Sequence, residues 1–266
     1  MDENSQRAWL PLTPRGVAAF AQTRLSRLWL IQFFVALFAA AVIAWTVNVA
    51  WLPVMRDAIH QLPEQGQLSA GVLKWHRESP CLLAEGHWLA ISVDTNGTRT
   101  IRSPAHLQVE LESEGFSIHS LLGYVEGYYP RGSAIEFNRK QLEPKWGAWK
   151  PVLLAGVVVA VIAGLMVNWT LLATVYFLPV WLVGFFLNRD LNFRESWRLA
   201  GASLIPGALI LTLAIFVYGL ALIDPVQLIA VFVAHFVIGW IYFCIAPFFV
   251  SKKAAAVKSG KNPFVK

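Results

Sequence analysis

The sequence predicts an integral membrane protein. The expected fold is an α-helical bundle of about five transmembrane helices, with a small β-rich extracytoplasmic domain inserted between helices 1 and 2. Three observations carry this. Of 266 residues, 56% are apolar and 14% charged, against about 25% charged in an ordinary soluble domain. The apolar residues are gathered into runs long enough to cross about 30 Å of hydrocarbon as helices. Between the first two runs lies a polar stretch whose segments alternate or are rich in β-formers.

A tail, residues 1–27, comes first. The first apolar run, residues 28–52, exceeds the roughly 7–15 apolar residues of a signal peptide. It ends in Trp51-Leu52-Pro53, with no small-residue cleavage site, and reads as an uncleaved span. Residues 53–150 follow. Strands are expected at 67–75, 87–94, 106–112 and 115–121, separated by turn clusters, as a small antiparallel sheet. Short helices are expected at 54–62 and 137–142. The run 151–187 carries no charge. As one straight helix it would be about 55 Å long, so it is divided into spans 151–167 and 169–187, with a turn near Asn168-Trp169. Spans 202–223 and 225–250 complete a membrane region over 151–250, before a basic tail at 251–266.

The net charge of +6 is unevenly placed. Residues 53–150 hold ten Lys/Arg and eleven Asp/Glu. The excess lies in Arg7, Arg15, Arg24 and Arg27, in the loop bearing Arg189, Arg194 and Arg198, and in the tail bearing Lys252, Lys253, Lys258, Lys261 and Lys266. The excess of Lys and Arg on cytoplasmic segments puts the N-terminus in the cytoplasm and residues 53–150 outside a cytoplasmic (inner) membrane. Length favours five crossings; charge favours four, which would keep all three basic segments inside. Five apolar helices are expected. The basic clusters read as topology determinants beside anionic headgroups. They are short and lack a nucleic-acid-binding module, so nucleic acid is not an expected partner.

The stretch "AISVDTNGT" ends a strand and imitates a phosphatase nucleophile loop, Asp-x-Asp-Gly-Thr. Asn96 stands where that chemistry needs a second acid, and an amide cannot exchange its proton at neutral pH. A fold of βαβ units, about 30 residues each, is also missing. Asn96-Gly97 fits the two left-handed positions of a type I′ hairpin turn, which is the expectation here. Asp94, Asn96 and Thr98 have oxygen-ligand spacing, but no distal acid completes a calcium loop. Asn96-Gly97-Thr98 is also a glycosylation sequon.

Other chemistry is sparse. His60, His76, His87, His106 and His119 lack the spacing of a zinc motif. Glu110, Glu112 and Glu114 share one side of a strand and read as a solvated face. Two cysteines, Cys81 and Cys244, read as packing residues. No catalytic residue, cofactor or metal ligand is assigned. Trp29, Trp51, Trp146 and Trp149 border the spans that flank residues 53–150 and read as interfacial anchors holding that domain close to the bilayer.

Small residues recur every fourth position at Ala36, Ala40 and Ala44, and at Gly156, Ala160 and Gly164. Such faces let helix backbones approach closely, and the two spans are expected to pack through them. Polar groups within the runs are few. His235, Asn48 and Asn168 form the candidate intramembrane polar site.

The segment Phe193-Arg194-Glu195-Ser196-Trp197-Arg198-Leu199-Ala200, followed by Leu204-Ile205-Pro206, resembles bacterial Yip-domain-like membrane proteins. So do five apolar helices with a tight pair before that loop. The resemblance covers the membrane half of the chain and implies no catalytic residues. The Ser-x-x-Gly-Tyr-x-x-x-Pro-like element of the family is echoed only by Ser120-Leu121-Leu122-Gly123-Tyr124, outside the spans.

The function expected is that of a non-enzymatic integral membrane accessory or scaffold protein. Its partners are the lipid bilayer and another membrane or envelope protein contacted through residues 53–150; a homo-oligomer is compatible. A small-solute transporter or channel-like protein is the alternative, and requires a wet cavity reached by His235, Asn48 or Asn168. An enzyme with an extracytoplasmic site is the third, and requires Asp94, His87 and Glu85 to cluster.

Overall fold

A computed structural model describes residues 11–98, 100–132 and 134–252. Arg7, Arg99 and the tail from Lys253 lie outside the described residues. Among the described residues four helices are long and apolar enough to cross a membrane. They are built on α2 (Leu25–Ala50), α4 (Arg139–Phe186), α5 (Phe193–Gly219) and α6 (Pro225–Ile245). Two short helices, α1 (Pro14–Ala19) and α3 (Leu52–His60), flank α2. Among the described residues eight strands lie between α3 and α4.

The expected division of residues 151–187 is corrected: α4 runs unbroken from Arg139 to Phe186. Asn168 and Trp169 supply no helix stop. The Thr170 and Thr174 hydroxyls satisfy themselves on the carbonyls of Met166 and Thr170, at 2.8 Å each, inside the helix. The expected helix at 137–142 is the first turn of α4, capped by Asn138 Oδ1, which accepts from Gln141 N at 3.0 Å. At 1.5 Å per residue α4 is about 72 Å long, more than the hydrocarbon thickness. Its charged N-terminal third therefore extends beyond any apolar span.

The chain forms two compact units. One comprises, of the described residues, 11–36, 163–211 and 231–252. Its core joins Val17 and Phe20 near the N-terminus, Leu28 of α2, Val180 of α4, Leu199 and Ile205 of α5, and Ala246 and Val250. Thr13 caps α1, accepting from Gly16 N at 3.1 Å. Asn192 and Glu195 cap α5 reciprocally, each backbone N–H donating to the other's side chain at 2.9 Å. This box starts α5 nine residues before the expected 202. Arg198 donates through Nε and Nη2 to the Ala21 carbonyl at 3.0 and 2.5 Å. Arg189 Nη1 donates to the Val250 carbonyl at 2.8 Å. The three basic segments named by the sequence are thus tied to one another through backbone oxygens.

In this unit α2 meets α5: Gln32 Nε2 donates to the Gly201 carbonyl at 3.3 Å. In the other unit the same two helices meet again, with the Trp45 and Phe216 rings 5.1 Å apart. The expected packing of small-residue faces is corrected accordingly. Ala36 and Ala40 are buried and Ala44 half-buried. Gly156, Ala160 and Gly164 are exposed, and a Cβ at Gly156 or Gly164 would meet nothing within 4 Å. The partner of α2 is α5, because α5 supplies ring contacts and a carbonyl acceptor that the α4 face lacks.

The second unit comprises residues 37–162 and 212–230. It holds a three-stranded sheet, β2-β1-β8, and a five-stranded sheet, β3-β4-β5-β6-β7. The strands are β1 (Gly66–Ser69), β2 (Val72–Trp75), β3 (Cys81–Glu85), β4 (Leu89–Val93), β5 (Leu107–Leu111), β6 (Gly115–Ser120), β7 (Gly123–Tyr128) and β8 (Ala134–Glu136). Ala58 and Leu62, from α3 and just beyond it, pack on Leu68, Leu73, Leu83 and Val93.

Two turn expectations change. The segment 67–75 is not one strand but a hairpin, with Ser69 opposite Val72 and a two-residue turn at Ala70-Gly71. Both turn residues have positive φ, 54° and 78°, the signature of a type I′ turn. The hairpin expected at Asn96-Gly97 is absent. β4 pairs antiparallel with the preceding β3 and parallel with β5, so both of its edges are taken and it offers none for a hairpin partner after Gly97. The sheet is therefore mixed, not antiparallel. Asp94 instead closes a local turn: Oδ1 accepts from Asn96 N at 3.0 Å, and Oδ2 accepts from Thr98 Oγ1 at 3.0 Å. Asn96 Nδ2 donates to the Ser79 carbonyl at 2.8 Å.

Candidate functional site

Strand periodicity puts Ser92 of β4, Gln108 and Glu110 of β5, and Ser117 and His119 of β6 on one sheet face. The register aligns them in rows: Ser92, Glu110 and Ser117 in one, Gln108 and His119 in the next. Ser92, Gln108, Glu110 and Ser117 are buried. The parallel connection from β4 to β5 passes over this face. It is fixed there by Gln108, whose Nε2 donates to Ser92 Oγ and the Ile101 carbonyl at 3.1 Å each. Gln108 Oε1 accepts from Ser103 N at 3.2 Å.

The expectation of a solvated face at Glu110 is corrected. Its side chain is 1% exposed, and Oε2 lies 3.3 Å from His119 Nε2. The alternation of β5 told that two faces exist but not that a long connection covers the polar one. Glu114 alone of the three acids is exposed.

Ser117 Oγ lies 3.1 Å from the same His119 Nε2. A carboxylate–imidazole–hydroxyl relay uses both ring nitrogens, one for the acid and one for the nucleophile. Here both partners address one nitrogen, and Ser117 is fully buried. The arrangement is that of a packed polar network.

Beside it opens a cleft of about 510 Å³, lined by Arg102, Ser103, His106, His119 and Asp224, with Leu121, Pro225 and Val226 at its apolar side. His106 Nδ1 lies 2.8 Å from the Tyr218 hydroxyl, at the end of α5. The His87 and His106 rings are 4.5 Å apart. Burial holds the His106 pKa below the ordinary 6.5; the nearby His87 lowers it further, and Asp224 opposes. A neutral His106 can accept a hydrogen bond from the Tyr218 hydroxyl. Among the described residues no three His, Cys, Asp or Glu converge on a metal position.

Other sequence candidates lie apart. Glu85 Oε1 accepts from Ser103 Oγ at 2.5 Å, while Asp94 serves its own turn and His87 meets the His106 ring edge to face. The cluster required of an extracytoplasmic enzyme is not formed by these contacts. His235 Nδ1 bonds the Phe232 carbonyl of its own helix. Asn168 is exposed and Asn48 half-buried; none of the three lines the cleft. His60 pairs with Glu143 at 3.2 Å. Cys81 and Cys244 are free thiols. Burial raises the Cys81 pKa, against Arg77.

The sequence did not single out β7. All of its residues but Gly127 are exposed, and it forms one edge of the five-stranded sheet. Tyr124, Val125 and Tyr128 are 62%, 67% and 82% exposed. Compared with protein-family models, curated proteins and solved structures, the chain matches none.

Proposed function

We propose that the protein is a non-enzymatic accessory or scaffold of a bacterial cytoplasmic membrane. It crosses the bilayer four times, with both termini cytoplasmic and the β-rich region outside. The even number of long apolar helices supports this topology. So does the excess of Lys and Arg over Asp and Glu, which then falls on one side.

The outer region contacts a membrane or envelope protein through β7. The observation that carries this is the edge itself. Native sheets blunt their edges with charged side chains, above all Lys, and with Pro or bulges; β7 has no Lys and no Pro, carries one acid, Glu126, and presents three large exposed side chains. An extended partner segment would pair along this edge and seat side chains against Tyr124 and Tyr128.

A photo-reactive residue at Val125 tests this in cells of the native host. Discrete adducts with an envelope protein are expected at Val125, and not at Leu82 on the opposite edge strand β3. Adducts of dimer mass would identify a second copy instead. Equal labelling at both edges, or none at either, would remove β7 as the docking strand.

A further inference from the structure

The β6–β7 hairpin has a composition at odds with its position. Ser120 pairs with Gly123, so the turn consists of Leu121 and Leu122. Two-residue hairpin turns favour Asn, Asp and Gly. Here two leucines stand 62% and 83% exposed at the tip. The hairpin does not need them for its backbone: the positive φ falls on Gly123, at 121°. Something apolar outside the fold must account for them.

Their neighbourhood says what. Leu121 lines the same cleft as Pro225 and Val226, the first residues of α6, a helix apolar enough to span a membrane. The first turn of a spanning helix lies at the boundary between hydrocarbon and headgroups. The hairpin tip is therefore at that level. Val226 of α6 and Leu222, in the turn before it, are themselves 60% and 70% exposed, so exposed apolar side chains stand at the start of the helix as well as at the tip. Tyr124 follows the tip on β7, and exposed Arg102 and Asp224 line the cleft beside it. Tyrosine is enriched at membrane interfaces, and the two charges match the phosphate and ammonium of a zwitterionic headgroup.

Resting on the membrane reading above, we infer that Leu121 and Leu122 form a lipid anchor. The hairpin tip inserts into the outer-leaflet interface and seats the β-rich region on the bilayer. A buried apolar tip binds through the area it removes from water, so the anchor fixes the orientation of β7 relative to the membrane. It adds a third point of attachment to the two chain connections through α3 and α4.

The full chain, with Cys81 and Cys244 replaced by serine, is reconstituted in vesicles of phosphatidylethanolamine and phosphatidylglycerol. Leu122→Cys carries an environment-sensitive fluorophore. Blue-shifted emission is expected, quenched more by nitroxides near the lipid headgroup than by aqueous iodide. The same probe at Glu126→Cys, further along β7, should be quenched by iodide. Val233→Cys, on an exposed face of α6, tests the membrane reading separately. If Val233 is lipid-quenched and Leu122 iodide-quenched, the anchor is overturned and the membrane reading stands. If neither is lipid-quenched, the membrane reading falls. Blue-shifted emission at Leu122 that ignores lipid nitroxides means a protein covers the tip, which also overturns the anchor. Lipid quenching at Glu126 as strong as at Leu122 would overturn the assignment to the tip.

Discussion

Gly207 of α5 lies directly against the backbone of His235 in α6: a Cβ at residue 207 would stand 2.5 Å from the His235 carbonyl oxygen. The histidine that looked like a mid-membrane site in the sequence therefore marks a helix crossing. Its ring turns back on the Phe232 carbonyl. Small residues let helices approach this closely, and neither backbone can yield without moving its helix. Gly207→Val is expected to cost about 1–3 kcal/mol, the usual penalty of overpacking. Gly164→Ala, where a Cβ meets open space, should be neutral or slightly stabilising through helix propensity. Thermal unfolding of the detergent-purified variants checks both. Equal loss at the two positions would refute the crossing.

Glu110 and His119 give a second prediction. Among the described residues the Glu110 oxygens accept no hydrogen bond, so His119 is the group that compensates the buried carboxyl. Removing one partner of a buried pair leaves the other uncompensated, at about 3 kcal/mol or more. His119→Ala should therefore destabilise the β-rich region severely. Pairing it with Glu110→Leu should recover much of the loss, because the orphaned acid is gone. Protease resistance of the β-rich region in intact proteoliposomes reads this. A double variant no better than His119→Ala would show that the acid was never the problem.

A third prediction concerns the turn that the sequence misplaced. Ala70 holds φ 54°, which costs an L-residue other than Gly, Asn or Asp about 1–2 kcal/mol. Ala70→Asn, creating the favoured Asn-Gly pair with Gly71, is expected to raise the stability of the hairpin by about 1 kcal/mol. Asn96→Ala should lower stability, because it deletes the bond to the Ser79 carbonyl. Both are measured as shifts in the unfolding midpoint.

This pair of turns also shows how far the sequence could be read. Asn96-Gly97 has the stronger local propensity, but a hairpin needs a free strand edge, and β4 has none. Ala70-Gly71 has weak propensity, but β1 and β2 each alternate and had only each other close in sequence. The parallel pairing of β4 with β5 is a long-range choice that no local pattern announces. The apolar runs were legible because length alone decides them. The stop expected at Asn168 failed because helix ends need caps; the caps that do start helices, Asn192 with Glu195 and Asp224 with Gln227 at 2.8 and 3.0 Å, were not read from the sequence, which began the third span at 202. The burial of Glu110 and the cleft beside it depend on a connection folding over the sheet, which spacing in sequence does not encode.

His106 yields a pH dependence. Its pKa is lowered, first by burial, then by His87, with Asp224 acting the other way. The unfolded chain then binds the proton more readily than the folded one. The contribution of His106 is fully present above the ordinary pKa of 6.5 and is lost as pH falls through the lowered value. Loss of the neutral ring also removes the acceptor for the Tyr218 hydroxyl. The His106 ring resonance, followed by NMR with selectively labelled histidine, should titrate below 6.5. In Tyr218→Phe the midpoint should move up, because the bond to the neutral ring is gone. An unchanged midpoint would mean that Tyr218 donates nothing to His106.

The topology is open to one labelling experiment. Four crossings return the C-terminus to the side on which the chain began, whereas the five apolar helices expected from length would place it outside. The physical difference is α4: an unbroken helix from Arg139 to Phe186 crosses once, where two spans would cross twice. With Cys81 and Cys244 replaced, Ser259→Cys is expected to resist a membrane-impermeant thiol reagent in intact cells and to react after lysis. Glu126→Cys, on the exposed edge strand, should react in intact cells. Reaction at both positions before lysis would require a fifth crossing. Since α5 and α6 are each one unbroken helix, that crossing would have to come from a break in α4, and the single-helix account of residues 151–187 would fail with it.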